Sequence, residues 1–123
     1  MEKNLLNDLL SFEGDREIRE SFTDKGFTVN VFYMNDFTQT LLMEEWKKLK
    51  DIEDIEYSKL KTTQVMIKHL TDLPKEAYAE DTLRELLKKQ SRFMLKIVME
   101  VTNEVAEYTD MTNKVNKSLK LVQ

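Results

Sequence analysis

The sequence predicts a mainly α-helical bundle with one long C-terminal helix and a single short strand or hairpin near residues 26–34. Three observations carry this. Leu87, Met94, Val101, Tyr108, Val115 and Val122 stand one heptad apart, and every one is apolar, which gathers them into a stripe along one side of a helix. Two glycines and one proline in 123 residues are too few for the turns of a sheet-rich fold. One segment alone, FTVNVFYM after Gly26, replaces the helical period with β-branched and aromatic alternation.

Taken in order, Leu5, Leu6, Leu9 and Leu10 recur at helical spacing and Phe12 extends their patch. They predict a short amphipathic helix that stops before Gly14. Residues 15–22 can add a helical turn or two with Ile18 and Phe22 on one side, so residues 1–25 read as an N-terminal helical arm. The strand from Phe27 cannot satisfy its backbone alone. Its partner must come from residues 15–25 or from another subunit.

Asn35 or Asp36 can cap the next helix, whose apolar face comprises Phe37, Leu41, Leu42, Trp46, Leu49 and Ile52. The acidic run from Asp51 to Glu56 predicts a loop. A helix from about Ser58 to Thr71 follows, with Leu60, Ile67 and Leu70 inward and Lys59, Lys61 and Lys68 outward. Pro74 disfavours helical geometry at Leu73 and sets a corner, after which residues 75–79 start a short helix. The longest helix is then expected from Asp81 to Tyr108. Residues 109–123 read as a frayed or partner-dependent tail, because Thr109 to Asn113 have poor helix propensity. The whole chain reads as one domain.

Composition narrows function. A net charge of −4 argues against nucleic acid as a partner, which demands clustered Lys and Arg. Without cysteine there is no disulfide, thiolate nucleophile or thiolate zinc site. No apolar run approaches the roughly 20 residues of a membrane span, and the first residues lack the pattern of a signal peptide. A cytoplasmic protein is expected.

Candidate chemistry is sparse. His69, the single histidine, could pair with Asp72 as an acid–base couple, although a lone histidine near a helix end is more often structural. Glu100, Glu104 and Glu107 share a helix face, but Met66 stands where a Glu-x-x-His metal motif ending at His69 needs its acid. The three acids read as a solvated face, with Lys96 pairing with Glu100. Ser11, Ser21, Ser58, Ser91 and Ser118 have no recognisable base beside them, and two glycines cannot build a phosphate loop. No enzyme activity, cofactor or metal is expected.

The stripe itself divides by length. Helices of a dozen residues reach only ~20 Å, so they cannot cover a helix that continues past Tyr108. Leu83 to Val101 is expected to be core. Val105, Tyr108, Met111, Val115, Leu119 and Val122 are the candidate partner-binding residues. Met43, Met66, Met94, Met99 and Met111 add adaptable apolar surface. The row Lys114, Lys117 and Lys120 complements the helix macrodipole, or meets an acidic partner or nucleic acid.

The strand-like GFTVNVFYM (Gly26 to Met34), the Glu44-Glu45-Trp46 helix, the LTDLPKE corner (Leu70 to Glu76) and the long helix after it resemble the tail assembly chaperones of long-tailed bacteriophages and prophages. The resemblance covers roughly residues 26–108 and is one of organisation, since the family has no invariant motif. It implies a protein of the host cytoplasm that binds the tape-measure protein and tail-tube subunits and self-associates weakly. It also implies a longer product made by ribosomal frameshifting, with which the Lys-rich end is compatible. Two other classes fit the same features: a small helical inhibitor of one specific protein, and a helical head–tail connector component.

Overall fold

A β-hairpin laid against four helices forms the described part of the chain. The structure, a computed structural model, covers residues 16–122, with side chains described from Arg16 to Leu119. The helix expected from Leu5 to Phe12 lies outside these residues. Strands β1 (Ile18–Asp24) and β2 (Phe27–Phe32) are followed by helix α1 (Asp36–Lys47) and helix α2 (Ile55–Leu70). A 3-10 turn (Lys75–Tyr78), α3 (Glu80–Lys88) and α4 (Arg92–Val122) complete the order.

The hairpin corrects the expected helical arm over residues 15–25. β1 pairs antiparallel with β2, with Phe22 opposite Val29 and Asp24 opposite Phe27. The strand partner left open by the sequence is therefore supplied by the same chain. Lys25 (φ 51°) and Gly26 (φ 81°) make the turn; positive φ at both central residues follows the right-handed twist of the flanking strands. Ile18 and Phe22, four residues apart, suggested a helix for 15–22, but Val29 and Val31, both fully buried, require a paired strand to carry them into the core. On its other edge β2 is held by the corner after α2. The Asn30 N–H donates to Asp72 Oδ1 (2.8 Å), Asn30 Nδ2 donates to Asp72 Oδ2 (2.8 Å), and Val31 bridges Thr71.

The helices start where their caps dictate. Asn35 accepts from the Thr38 N–H at 2.8 Å, satisfying one of the first-turn donors of α1. Asp54 does the same for α2 through Tyr57 at 3.0 Å, so that helix begins at Ile55, three residues before the expected Ser58. α1 ends at Lys47 instead of reaching Ile52, and the chain turns through successive N–H bonds from Leu49 to Trp46 and Ile52 to Leu49. Leu60, Ile67 and Leu70 point inward as expected. The 3-10 turn after Pro74 matches the expected short helix, and Gln64 Nε2 ties it to α2 by donating to the Tyr78 carbonyl (3.0 Å).

Two further corrections concern the long helix. It is two helices, broken at residues 89–91. Gln90 takes positive φ (56°), its N–H donates to the Leu87 carbonyl, and the Ser91 N–H donates to Leu86. This is a Schellman closure with glutamine in the position that usually holds glycine. Ser91 then caps α4 through the Met94 N–H. Leu87 thus lies on α3, and the ladder crosses a break between Leu87 and Met94. In the other direction α4 does not fray at Thr109; its 31 residues run to Val122, about 46 Å at the standard rise.

The core lies where α4 crosses α2 and the hairpin. Val29, Val31, Leu42, Ile67, Leu70, Leu83, Ile97 and Val101 are all at most 1% exposed. α4 packs against α2, α3 and both strands, while α1 packs against α2.

Candidate protein-binding surface

α4 leaves the domain through a polar clasp that the sequence reading missed. The register of the hairpin shifts between Ile18 and Glu20, leaving Arg19 as the extra residue of a bulge. Strict alternation would put Arg19 on the outer face with Ser21 and Thr23, which bond across to Asn30 and Thr28. The bulge re-aims it. Its guanidinium reaches α4, with Nε donating to Glu100 (2.6 Å), Nη1 to Glu104 (2.7 Å), and Nη1 and Nη2 to Glu107 (2.5 and 3.1 Å).

Glu100, Glu104 and Glu107 are therefore not a solvated face. Glu104 is 4% exposed, and its second oxygen accepts the Met34 N–H at 2.7 Å. Glu100 turns to Arg19, not to Lys96. The hydrogen bond from Arg19 holds the Glu107 carboxyl below its ordinary range. Three acids around one cation explain the spacing at 100, 104 and 107 without a metal. Among the described residues no cluster of three or more His, Cys, Asp or Glu is placed to hold one.

One turn further on, the Tyr108 hydroxyl donates to Asp36 at the start of α1. Burial, then the hydrogen bond to Asp36, push this phenol up to about 12. Val105 and Tyr108 are half-buried against the core, so these two candidate partner residues belong mainly to the domain's own packing. Beyond them the stripe is open. Met111 is 55% exposed, Val115 53% and Leu119 57%. Val122 closes the row by position, and its side chain lies outside the described set. On the same helix Leu95 and Met99 are exposed nearer the domain.

His69 meets Glu45 of α1 instead of Asp72, because Asp72 is engaged with Asn30. Lys68 Nζ holds the other Glu45 oxygen at 2.9 Å. Burial alone would raise the Glu45 carboxyl; the bonds from Lys68 and His69 outweigh it and bring it down. This trio joins α1 to α2. Two open grooves flank α2. One, about 850 Å³, is lined by Asp54, Tyr57, Lys59, Arg84 and Lys88 among others. The other, about 540 Å³, is lined by Lys48, Lys61, Lys68, Lys75 and Tyr78 among others.

No protein family, curated protein or solved structure matches this chain. Among the described residues no helix is long and apolar enough to cross a membrane.

Proposed function

We propose that this protein is a non-enzymatic binding module that receives a partner helix on the distal half of α4. The reading that fits best is a tail assembly chaperone of a phage or prophage, working in the host cytoplasm on tape-measure and tail-tube proteins. One observation carries the binding part of this reading. Met111, Val115 and Leu119 are each more than half exposed on one helix face, on a segment that projects beyond the fully buried Val101. The open row from Met111 to Val122 spans about 16 Å of helix axis. An apolar row of that length on a projecting helix suits groove-like recognition of another amphipathic helix. Methionine at 111 suits a partner whose sequence varies along its length.

Co-expression with a phage tape-measure protein, the long helix-rich client this reading names, tests the proposal. The wild-type chain is expected to co-purify with that protein, and Val115→Asp to lose it while keeping the wild-type circular dichroism spectrum. Capture that survives Val115→Asp refutes the assigned surface. Stable rings without a client would point to a connector, and fixed stoichiometry with one globular protein to an inhibitor.

A further inference from the structure

We infer that the distal half of α4 pairs with the same segment of a second copy, antiparallel, about a two-fold axis passing at Val115. This rests on the reading of that segment as a docking surface, and it names what covers the stripe when no client does.

The stripe reads the same in both directions. From Tyr108 through Met111, Val115 and Leu119 to Val122 the steps are 3, 4, 4 and 3 residues. Laid antiparallel about Val115, Met111 falls opposite Leu119 of the second copy, and position 108 falls opposite position 122. Val115 meets itself. All three exposed apolar residues are covered at once, as a two-fold interface requires of a self-complementary patch.

Charge selects the direction. Between Val98 and Met111 the helix carries acids only: Glu100, Glu104, Glu107 and Asp110. Between Met111 and Gln123 it carries lysines only: Lys114, Lys117 and Lys120. A parallel pair would stack lysine on lysine. The antiparallel pair brings position 110, an aspartate, opposite position 120, a lysine, twice by symmetry, and like charges no longer face each other. Asp110 already holds Lys114 within its own helix at 3.1 Å, so it sits at the edge of the stripe where a second lysine can reach it.

The pairing is weak by size. Three half-exposed side chains per copy bury on the order of 300 Å², below the ~800 Å² per partner of a standard interface. Such a contact dissociates readily and yields to a longer client helix, so self-pairing and client binding compete for one surface.

Disulfide trapping tests the geometry without background, because the chain has no cysteine. Single variants Val115→Cys, Met111→Cys and Leu119→Cys of the full chain are oxidised at ~100 µM, separately and mixed. Val115→Cys is expected to cross-link to itself. A mixture of Met111→Cys and Leu119→Cys is expected to form the mixed dimer. Met111→Cys alone is expected to stay monomeric, because its two thiols would stand eight positions apart, about 12 Å along the axis. A disulfide needs Cα atoms within about 7 Å.

A Met111→Cys homodimer would establish the parallel arrangement and overturn the inference. So would the absence of cross-links in every variant, as expected if only a foreign helix covers the stripe. Circular dichroism of the three variants excludes misfolding as the cause. Cross-linking without client capture leaves self-pairing standing and removes the chaperone reading; capture without cross-linking does the reverse.

Discussion

Replacing Arg19 with methionine removes the single cation that gathers three glutamates of α4 onto the hairpin. The Arg19 side chain is 14% exposed and the Glu104 side chain 5% exposed, so their contact is largely cut off from water. In Arg19→Met, Glu104 keeps only the Met34 N–H as a partner, and Glu100 and Glu107 lose the cation that offsets their mutual repulsion. Breaking a fully buried pair from one side costs about 3–5 kcal/mol. Glu100 and Glu107, at 21% and 63% exposed, can turn to solvent, which brings the expected cost to about 2–3 kcal/mol.

Urea denaturation followed by circular dichroism reads this directly. With a slope of roughly 1.5 kcal/mol per molar urea, the midpoint should fall by about 1–2 M. Glu107→Gln should lower the midpoint much less than Arg19→Met, because that acid stands mostly in solvent and its bond to Arg19 is screened. Arg19→Met combined with Glu104→Leu should recover part of the loss, since the stranded buried charge is gone. The Glu107 carboxyl, held below its ordinary range, lends stability above that range and loses it as pH falls through the lowered value. Arg19→Met should therefore flatten the acid limb of the stability profile below about pH 4. A midpoint unchanged in Arg19→Met, or a double variant worse than the two single ones together, would refute the clasp.

Two further outcomes follow from the same helix. Val101 is fully buried, so Val101→Asp should unfold the domain. An unpaired buried carboxylate costs several kcal/mol, against a total stability of about 10 kcal/mol for a domain of this size, and loss of the cooperative urea transition checks it. Tyr108 should ionise late, near pH 12. Its contribution to stability is complete below about pH 10, the unfolded value, and is lost as pH rises through the folded value. Alkaline spectrophotometric titration should show one late phenol, absent in Tyr108→Phe; an unchanged late step in that variant would place it on another tyrosine.

Much of the helical layout was legible because helices are local. Asn35 announces a cap by its own side chain, Pro74 a corner by its ring, and Leu60, Ile67 and Leu70 an inward face by spacing alone. The break at Gln90 was not legible, since glutamine carries no glycine-like stop signal. It is visible only in the Schellman bonds to Leu86 and Leu87. The hairpin was half legible. Phe27 to Phe32 alternates clearly, but Ile18 and Phe22 stand four apart and pass for one side of a helix, and Asp24-Lys25-Gly26 was the turn signal available to correct it.

The distal stripe and the glutamate face were both read from periodicity, with opposite results. Periodicity states which residues share a side of a helix, and that is enough to gather Met111, Val115 and Leu119 into one row. It does not state what lies across from them. For Glu100, Glu104 and Glu107 the answer was Arg19, some eighty residues away in sequence and re-aimed by a one-residue bulge. For His69 it was Glu45, not the nearby Asp72. The sequence by itself determined the helical class, the strand and the apolar ladder, because each depends on neighbours three or four residues away. Only the tertiary structure decided where the ladder stops being core, because that depends on how far α2 and the hairpin reach along α4. The hairpin's Arg19 reaches as far as Glu107 and the start of α1 as far as Tyr108, and the helix continues beyond them.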